Sequence, residues 1–305
     1  MKTAHAATVL CALMALMVVV TWQMWLNPAV DSGREMNVPL RLLEGENLYS
    51  QVYNLYGPFA PLFNTSLYAL FGASLTTLYW AGISGSLILV LSIFYLGRYF
   101  MPPFEAMLSA TAVLALCVFK ESGNLIFPYS YAVLYGTLSG TLALIALVRY
   151  IRSGGNGHLF AAGILSGVAM CCKAEFGLAV IAAVTVFIIT EPRGRRLRIS
   201  GVVIPSLLIF PIALGGYLLT RVPLESFFTD TFFFPGSIPD ALVHYNKLKL
   251  GFYDPGRTIR EMISAVAILA GFAGLFSLAS IRLAGRADGW RPFQRGGSTF
   301  QGIRF

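Results

Sequence analysis

Charge is what this chain has least of. Only 12% of its 305 residues are Asp, Glu, Lys or Arg, against 56% hydrophobic, where a soluble domain averages about 25% charged. Half the ordinary charge density cannot cover a water-soluble body of this size, and a mean hydropathy of +0.70 agrees. Cysteine is scarce as well. Cys11, Cys117, Cys171 and Cys172 all lie in apolar runs, at spacings that fit neither a disulfide framework nor a metal site. There is no phosphate-binding loop, no dinucleotide fingerprint and no internal repeat. Nucleotide-driven chemistry loses its usual signature, and an inverted-repeat transporter is weakened. Disorder, collagen and small disulfide scaffolds are excluded by composition.

What the chain has is long apolar runs, so the expected fold class is an all-α polytopic membrane protein. A span needs about 20 apolar residues, and eight segments are read as spans: 5–26, 75–97, 103–120, 131–151, 159–173, 176–190, 200–220 and 260–281. The fifth and sixth form one stretch broken at Lys173-Ala174-Glu175; a single helix there would reverse everything after it. The first apolar run, Ala6 to Leu26, is long for a signal peptide and is read as an uncleaved helix.

Charge bias sets the orientation. With the N-terminus cytoplasmic, the inner segments hold 13 basic and three acidic residues, and the outer ones nine and 11. The net charge of +8 is therefore topology rather than nucleic-acid binding. The clearest inner signal is Arg193-Gly194-Arg195-Arg196-Leu197-Arg198. Residues 1–282 form the membrane domain, with long outer loops at 27–74 and 221–259. Residues 283–305 form a polar, Gly- and Arg-rich cytoplasmic tail, expected to be disordered. A multi-pass protein of the cell inner or plasma membrane follows, with its function on the outer face.

The first outer loop carries the densest chemistry. Asp31 follows the membrane exit, and Ser32 with Glu35 fits a capping box. An amphipathic helix is expected up to Gly45, with Leu40, Leu42 and Leu43 toward the membrane surface. Asp31 and Glu35 lie four apart, on one helix face. They are capping groups on one reading; on the other they are a base and its orienting partner, or a cation site. Further on come Tyr49, Tyr53 and Tyr56 before the Gly57-Pro58 turn. They fit an aromatic belt at the headgroups, with sugar stacking as the functional alternative.

Asp31-x-Gly33-Arg34-Glu35, then Gly45-x-x-Leu48-Tyr49, Gly57-Pro58 and Phe71-Gly72, resembles the first outer loop of C-type (GT-C) membrane glycosyltransferases. The similarity is to the bacterial branch of the protein O-mannosyltransferase and aminoarabinose-transferase superfamily. Two later stretches look like the same branch. One is Asn124-Leu125-Ile126-Phe127-Pro128-Tyr129-Ser130-Tyr131-Ala132. The other is Gly163-x-x-x-Gly167 followed by Lys173-Ala174-Glu175-Phe176-Gly177, where relatives often have Lys-Pro-Glu.

The resemblance implies sugar transfer from a polyprenyl-phosphate donor to an acceptor hydroxyl on the non-cytoplasmic face, with Asp31 as general base. The chemistry is sound: an alcohol attacking an anomeric carbon must lose its proton, and a phosphate leaving group needs positive charge around it. Candidates for that cradle are Arg34, Lys173, His244 and Lys247. Lys173 and Glu175 interrupt an apolar run, where charge is costly; a structural ion pair is the plainer reading. Glu121 matches by position a second acidic residue of relatives, with interface snorkelling as its plainer account. Phe127-Pro128-Tyr129 is expected to cap the next span and to line a lipid-tail groove.

No cofactor is expected; a divalent cation at Asp31 and Glu35 is the alternative, since some distant relatives use one. The partners implied are the donor, a lipid, glycan or protein acceptor, and membrane lipids. Relatives are usually longer, and the tail from Gly289 to Gly297 looks unlike theirs, as a truncated or frame-shifted end would. The competing readings are a lipid-linked sugar flippase or transporter, and an inactive relative that binds without turnover. A transporter calls for polar groups deep in the spans; the acidic residues here gather in the outer loops.

Overall fold

The computed structural model describes residues 2–26, 32–120, 123–225, 240–249 and 253–284. Asp31, Glu121 and the tail beyond Ala284 lie outside the described residues. The chain divides into two compact units, Met1–Phe232 with Arg295–Phe305, and Phe233–Gln294. In the first, the helices are α1 (Thr3–Val20), α2 (Ser32–Leu43), α3 (Phe59–Phe71), α4 (Leu75–Gly97), α5 (Pro103–Val113), α6 (Tyr131–Ser153), α7 (Asn156–Cys172), α8 (Ala174–Thr190) and α9 (Arg193–Leu219). Helix α5 runs on as one π turn, Leu114–Val118. In the second unit are α10 (Asp240–Lys249) and α11 (Pro255–Ala284). Among the described residues there is no strand, only an isolated bridge between Leu48 and Val52.

Each expected span falls on a helix. Helices α1, α4, α6 and α9 are long and apolar enough to cross a membrane, while Pro103–Val118, α7 and α8 are shorter apolar helices. The chain is thus an all-helical, multi-pass membrane protein; length and composition qualify four crossings and do not fix eight. The first helix ends sooner than its apolar run. It stops at Val20, because Trp25 Nε1 turns back to donate to Thr21 Oγ1 (2.9 Å) and its ring packs edge-on against Tyr79 (5.2 Å). Helix α11 starts earlier than 260. Pro255 suits a first helical position, and Asp254 caps it by accepting from the Arg257 N–H (3.0 Å).

The 159–190 stretch is two helices. Lys173 alone is extended between them (φ −159°, ψ 135°), which breaks the ladder without a proline. Helix α8 folds back on α7 so closely that a Cβ on Gly177 would sit 2.7 Å from Met170 Cα. On its other side α7 meets α9 through Gly163 and Gly167. A Cβ there would lie 2.6 Å from the Val203 carbonyl oxygen and 2.2 Å from that of Leu207. Small residues four apart let two backbones approach in this way.

The main core joins α1, α4, α5 and α6 around Leu10, Leu78, Phe94, Ile126 and Tyr131, all fully buried. The segment before α6 is bound into it. Asn124 Nδ2 donates to the Trp25 carbonyl (3.1 Å) and Ser86 Oγ to that of Leu125 (3.0 Å). Phe127 does not line a groove as expected. It is 2% exposed, between the rings of Tyr79 (5.5 Å) and Tyr131 (5.8 Å).

Candidate functional site

The site begins with α2, an amphipathic helix, as the pattern requires. It ends at Leu43, and Gly45 follows at φ +99°, a backbone glycine tolerates best. Leu40 and Leu43 are exposed, but Leu42 turns inward onto the small cluster of Val38, Leu48, Tyr49, Val52 and Leu218. Ser32 is the first helical residue. The Glu35 carboxylate, expected to close a capping box with it, also reaches across to α6. Its Oε2 accepts from the Tyr131 N–H (2.9 Å) and its Oε1 from Arg34 Nε (3.3 Å) and Nη2 (3.2 Å). A buried carboxylate at the first N–H of a helix meets both an orphan donor and the positive end of the dipole. Glu35 thereby ties the interface helix to the α6 entrance.

Arg34 sits beside it. Its Nη2 also donates to the Tyr129 carbonyl (2.8 Å), and its guanidinium lies over the Tyr56 ring, 5.4 Å from the centroid. Lys173 Nζ lies over the same ring at 5.1 Å. Both distances are within cation–π range, so one tyrosine carries two cations, one from α2 and one from the α7–α8 break. Lys173 also pairs with Glu175 (3.4 Å). Partial burial alone draws the Lys173 ammonium downward; Tyr129, Glu175 and Tyr56 outweigh it and hold its pKa above the ordinary lysine value.

Tyr56 is rigidly placed. Tyr49 Oη and Asn54 Nδ2 both donate to its carbonyl, each at 2.7 Å. Tyr49 adopts φ +71° to do so, a region uncommon for a bulky residue and tolerated where surroundings over-determine it. The next residue, Gly57, donates its N–H to the Cys172 carbonyl (3.0 Å). A Cβ on Gly57 would lie 2.1 Å from the Cys171 carbonyl oxygen. The turn is therefore pressed onto the C-terminal end of α7, one residue before Lys173. Of the three tyrosines read as a belt, only Tyr53 is exposed; Tyr49 is internal.

Below this turn opens a cavity of about 480 Å³, lined by Tyr56, Gly57, Lys173, Leu178, Ile181 and Leu214, among others. Lys173 and its partner Glu175 both line it, so an ion pair stands in a groove that is mostly apolar elsewhere. Such a shape suits an amphiphile with an anionic head.

The structure thus brings together Arg34, Glu35, Lys173 and Glu175 of the expected set. Asp31 and Glu121 lie outside the described residues. His244 and Lys247 are exposed on α10 in the second unit, where His244 Nδ1 is 3.0 Å from Tyr253 Oη. Among the described residues no three His, Cys, Asp or Glu side chains gather to hold a metal. Two features went unseen in the sequence. One is Tyr56 as the ring that two cations share. The other is Asn64, 1% exposed, whose Oδ1 accepts from Tyr135 Oη (2.7 Å). Asn64 in the apolar run 62–72 was a signal: an amide there needs a buried partner.

The sequence model of the dolichyl-phosphate-mannose-protein mannosyltransferase family matches residues 56–217, more than half of the chain. No curated protein matches it. Among solved structures, ArnT from Cupriavidus metallidurans bound to undecaprenyl phosphate is similar in fold, with a TM-score of 0.56 at 17% identity. The match covers 72% of this chain and 42% of that one, so this chain spans less than half the length of that neighbour.

Proposed function

This chain belongs to the dolichyl-phosphate-mannose-protein mannosyltransferase family, and on that premise we propose that it transfers a sugar from a polyprenyl-phosphate donor to an acceptor hydroxyl at the non-cytoplasmic face of the membrane. The observation that carries this reading is the pairing of Arg34 and Lys173 on the Tyr56 ring, with Tyr56 and Lys173 both lining the groove. The donor phosphate sits between the two cations and its tail runs down the groove. The structural neighbour is named as bound to a ligand of that chemistry, which supports the same assignment here.

In the proposed reaction the acceptor oxygen attacks the anomeric carbon. A new glycosidic C–O bond forms as the C–O bond to phosphate breaks, and polyprenyl phosphate departs with the bonding electrons. Asp31, directly before α2, takes the acceptor proton. The leaving phosphate needs no proton, because Arg34 and Lys173 meet the charge that develops on it. One base and one cationic cradle suffice for an inverting displacement, without the carboxylate pair of a glycosidase. Glu35 acts through others: it holds Arg34 and the α6 entrance in place. His244 and Lys247 are assigned no role in this step.

The test is sugar transfer in membranes expressing the chain, supplied with labelled polyprenyl-phosphate hexoses and pentoses, wild type beside Asp31→Asn. The expected result is transfer in the wild type and a loss of about 10²–10⁴-fold in the variant, the usual range for a general base. Equal transfer in both would remove Asp31 as the base.

A further inference from the structure

Only half of the Asn64 amide is satisfied. Its Oδ1 accepts from Tyr135 Oη (2.7 Å). Its Nδ2 is buried and donates to nothing among the described residues. Leaving such a donor unmade costs more than an ordinary hydrogen bond gains, so the group calls for a partner.

Beside it, between α2, α3 and the start of α6, is a small cavity of about 10 Å³. Its polar walls are Glu35, Asn54, Asn64 and Ser130. Val38, Ala60 and Ala132 close it with apolar surface, and all three are buried. Tyr135 is not part of the wall, so the amide turns its Oδ1 end away and its Nδ2 end toward this space. The cavity is far too small for a substrate group. It admits one water molecule, which needs about 10 Å³ and two to four polar partners.

Those partners are present in the right kinds. Asn64 Nδ2 is a donor. Ser130 Oγ accepts from the Ala132 N–H (3.2 Å) and has its own proton to donate. The Glu35 carboxylate is an acceptor. Asn54 uses its Nδ2 on the Tyr56 carbonyl (2.7 Å), which leaves its Oδ1 as a second acceptor. A water among them accepts from Asn64 and Ser130 and donates to Glu35 and Asn54. The two acceptors are also the two supports of the shared ring. Glu35 holds Arg34, and Asn54 holds the Tyr56 carbonyl. One belongs to α2 and the other to the turn before α3.

We propose that this cavity binds one structural water, and that Asn64 is a positioning residue of the phosphate site that acts through it. The positioning role rests on the donor reading above; the water site rests on the cavity and the amide alone. Asn64 orders the water, the water ties Glu35 to Asn54, and Arg34 and Tyr56 are held in register. A water-mediated bond is nearly as favourable as a direct one, so the link holds without contact between the two supports. Tyr135 contributes by fixing which end of the amide faces the cavity.

The water is tested by X-ray radiolysis of the full chain in nanodiscs, which generates hydroxyl radicals at bound water, followed by peptide mapping. Oxidation is expected at Val38 and Pro61, two buried walls of the cavity. Asn64→Leu removes the donor, and Ala60→Val fills the same space without touching the amide; the second serves if the first does not fold. Either is expected to reduce oxidation at both positions to background. The positioning role is tested by titrating polyprenyl phosphate. Asn64→Leu and Glu35→Gln are each expected to raise Kd about tenfold. The double variant is expected to stay near tenfold rather than reach about 100-fold, because both changes break one chain of contacts. Ser86→Ala, which removes a buried hydrogen bond to the Leu125 carbonyl elsewhere in the core, is expected to leave Kd unchanged. Oxidation absent from the wild type, or unchanged in both variants, would overturn the water site. Effects of Asn64→Leu and Glu35→Gln that multiply, or an equal shift in Ser86→Ala, would overturn the positioning role. Oxidation in a wild-type chain that binds no polyprenyl phosphate would remove the donor reading and keep the water site.

Discussion

Replacing Gly57 by alanine tests the geometry on which the phosphate site depends. The added Cβ would lie 2.1 Å from the Cys171 carbonyl oxygen and 2.6 Å from its carbon. Both are backbone atoms inside a helix and cannot rotate away. The turn must retreat instead, and it loses the Gly57 N–H bond to the Cys172 carbonyl. Overpacking of this kind costs about 1–3 kcal/mol, and the hydrogen bond adds about 1 kcal/mol. Unfolding the helices that the turn rests on costs far more, so relief comes locally, by moving Tyr56 away from α7.

Tyr56 then leaves Lys173, whose ammonium stands over its ring, while Arg34 on α2 is displaced with it or left behind. The cationic pair no longer flanks one point. A loss of about 1.4–2.8 kcal/mol of phosphate binding, 10- to 100-fold in Kd, is the expected consequence. The assay is titration of polyprenyl phosphate into the chain in nanodiscs. Gly194→Ala is the matched control, because a Cβ there meets nothing within 4 Å and alanine favours the first turn of α9 by up to about 1 kcal/mol. Helix content by circular dichroism is expected to match in all three proteins. Wild-type affinity in Gly57→Ala, or an equal loss in Gly194→Ala, would refute the argument that the turn sets the spacing of the cations.

Three further outcomes follow from the same geometry. Glu35→Gln keeps an acceptor for the Tyr131 N–H but removes the charge facing Arg34 and the α6 dipole. It is expected to cost about 1–2 kcal/mol in thermal unfolding, and Glu35→Ala more, since it leaves the Arg34 charge without its carboxylate. Gly167→Leu drives a side chain into the Leu207 carbonyl and is expected to destabilise the α7–α9 pair by about 3 kcal/mol or more, against less than that for Gly215→Ala, which meets open space. Lys173 has a folded pKa raised above 10.5. A raised cation contributes fully below its unfolded value and loses its effect only as pH rises through the folded one. Phosphate affinity due to Lys173 is therefore flat from about pH 7 to 9.5, so the wild-type and Lys173→Ala curves run parallel. A wild-type decline in that window, absent from the variant, would contradict the assignment.

The features legible in the sequence are those that a short stretch decides for itself. A lone cation in an apolar run is too costly to leave mid-span, so Lys173 marked a helix break, and the break lies there. Gly163 and Gly167 entered the sequence reading only as part of the family resemblance; the close crossing of α7 with α9 that they permit is a finding of the structure. Misreadings came where a distant partner outbid a local one. The capping-box spacing of Ser32 and Glu35 gave no sign that the Glu35 carboxylate also serves the buried N-terminus of α6. Ala6 to Leu26 reads as one apolar run, yet Trp25 packs better against Tyr79 than it continues a helix. Phe127 was placed at a lipid groove because it stands beside a proline at a span edge; the rings of Tyr79 and Tyr131, far off in the chain, bury it.

Tyr56 shows why the site was harder to see than the fold. A tyrosine near a membrane interface has a sufficient local explanation, and nothing within five residues of Tyr56 contradicts it. What changes its meaning is a cation arriving from α2 and a second from the α7–α8 break. Each cation alone is also ordinary: Arg34 has Glu35, and Lys173 has Glu175. Each pairing satisfies its own cation, so neither gives a reason to place both over one ring. Recognition of an anion does, because two cations held against one fixed ring are ready for a phosphate before it arrives, and binding then spends little on reordering them. The cost of fixing that ring is visible in Tyr49, an aromatic residue held at φ +71° so that its hydroxyl can fix the Tyr56 carbonyl. Relaxing it should therefore separate the two roles. Tyr49→Phe removes that hydroxyl bond and is expected to weaken phosphate binding more than it lowers thermal stability.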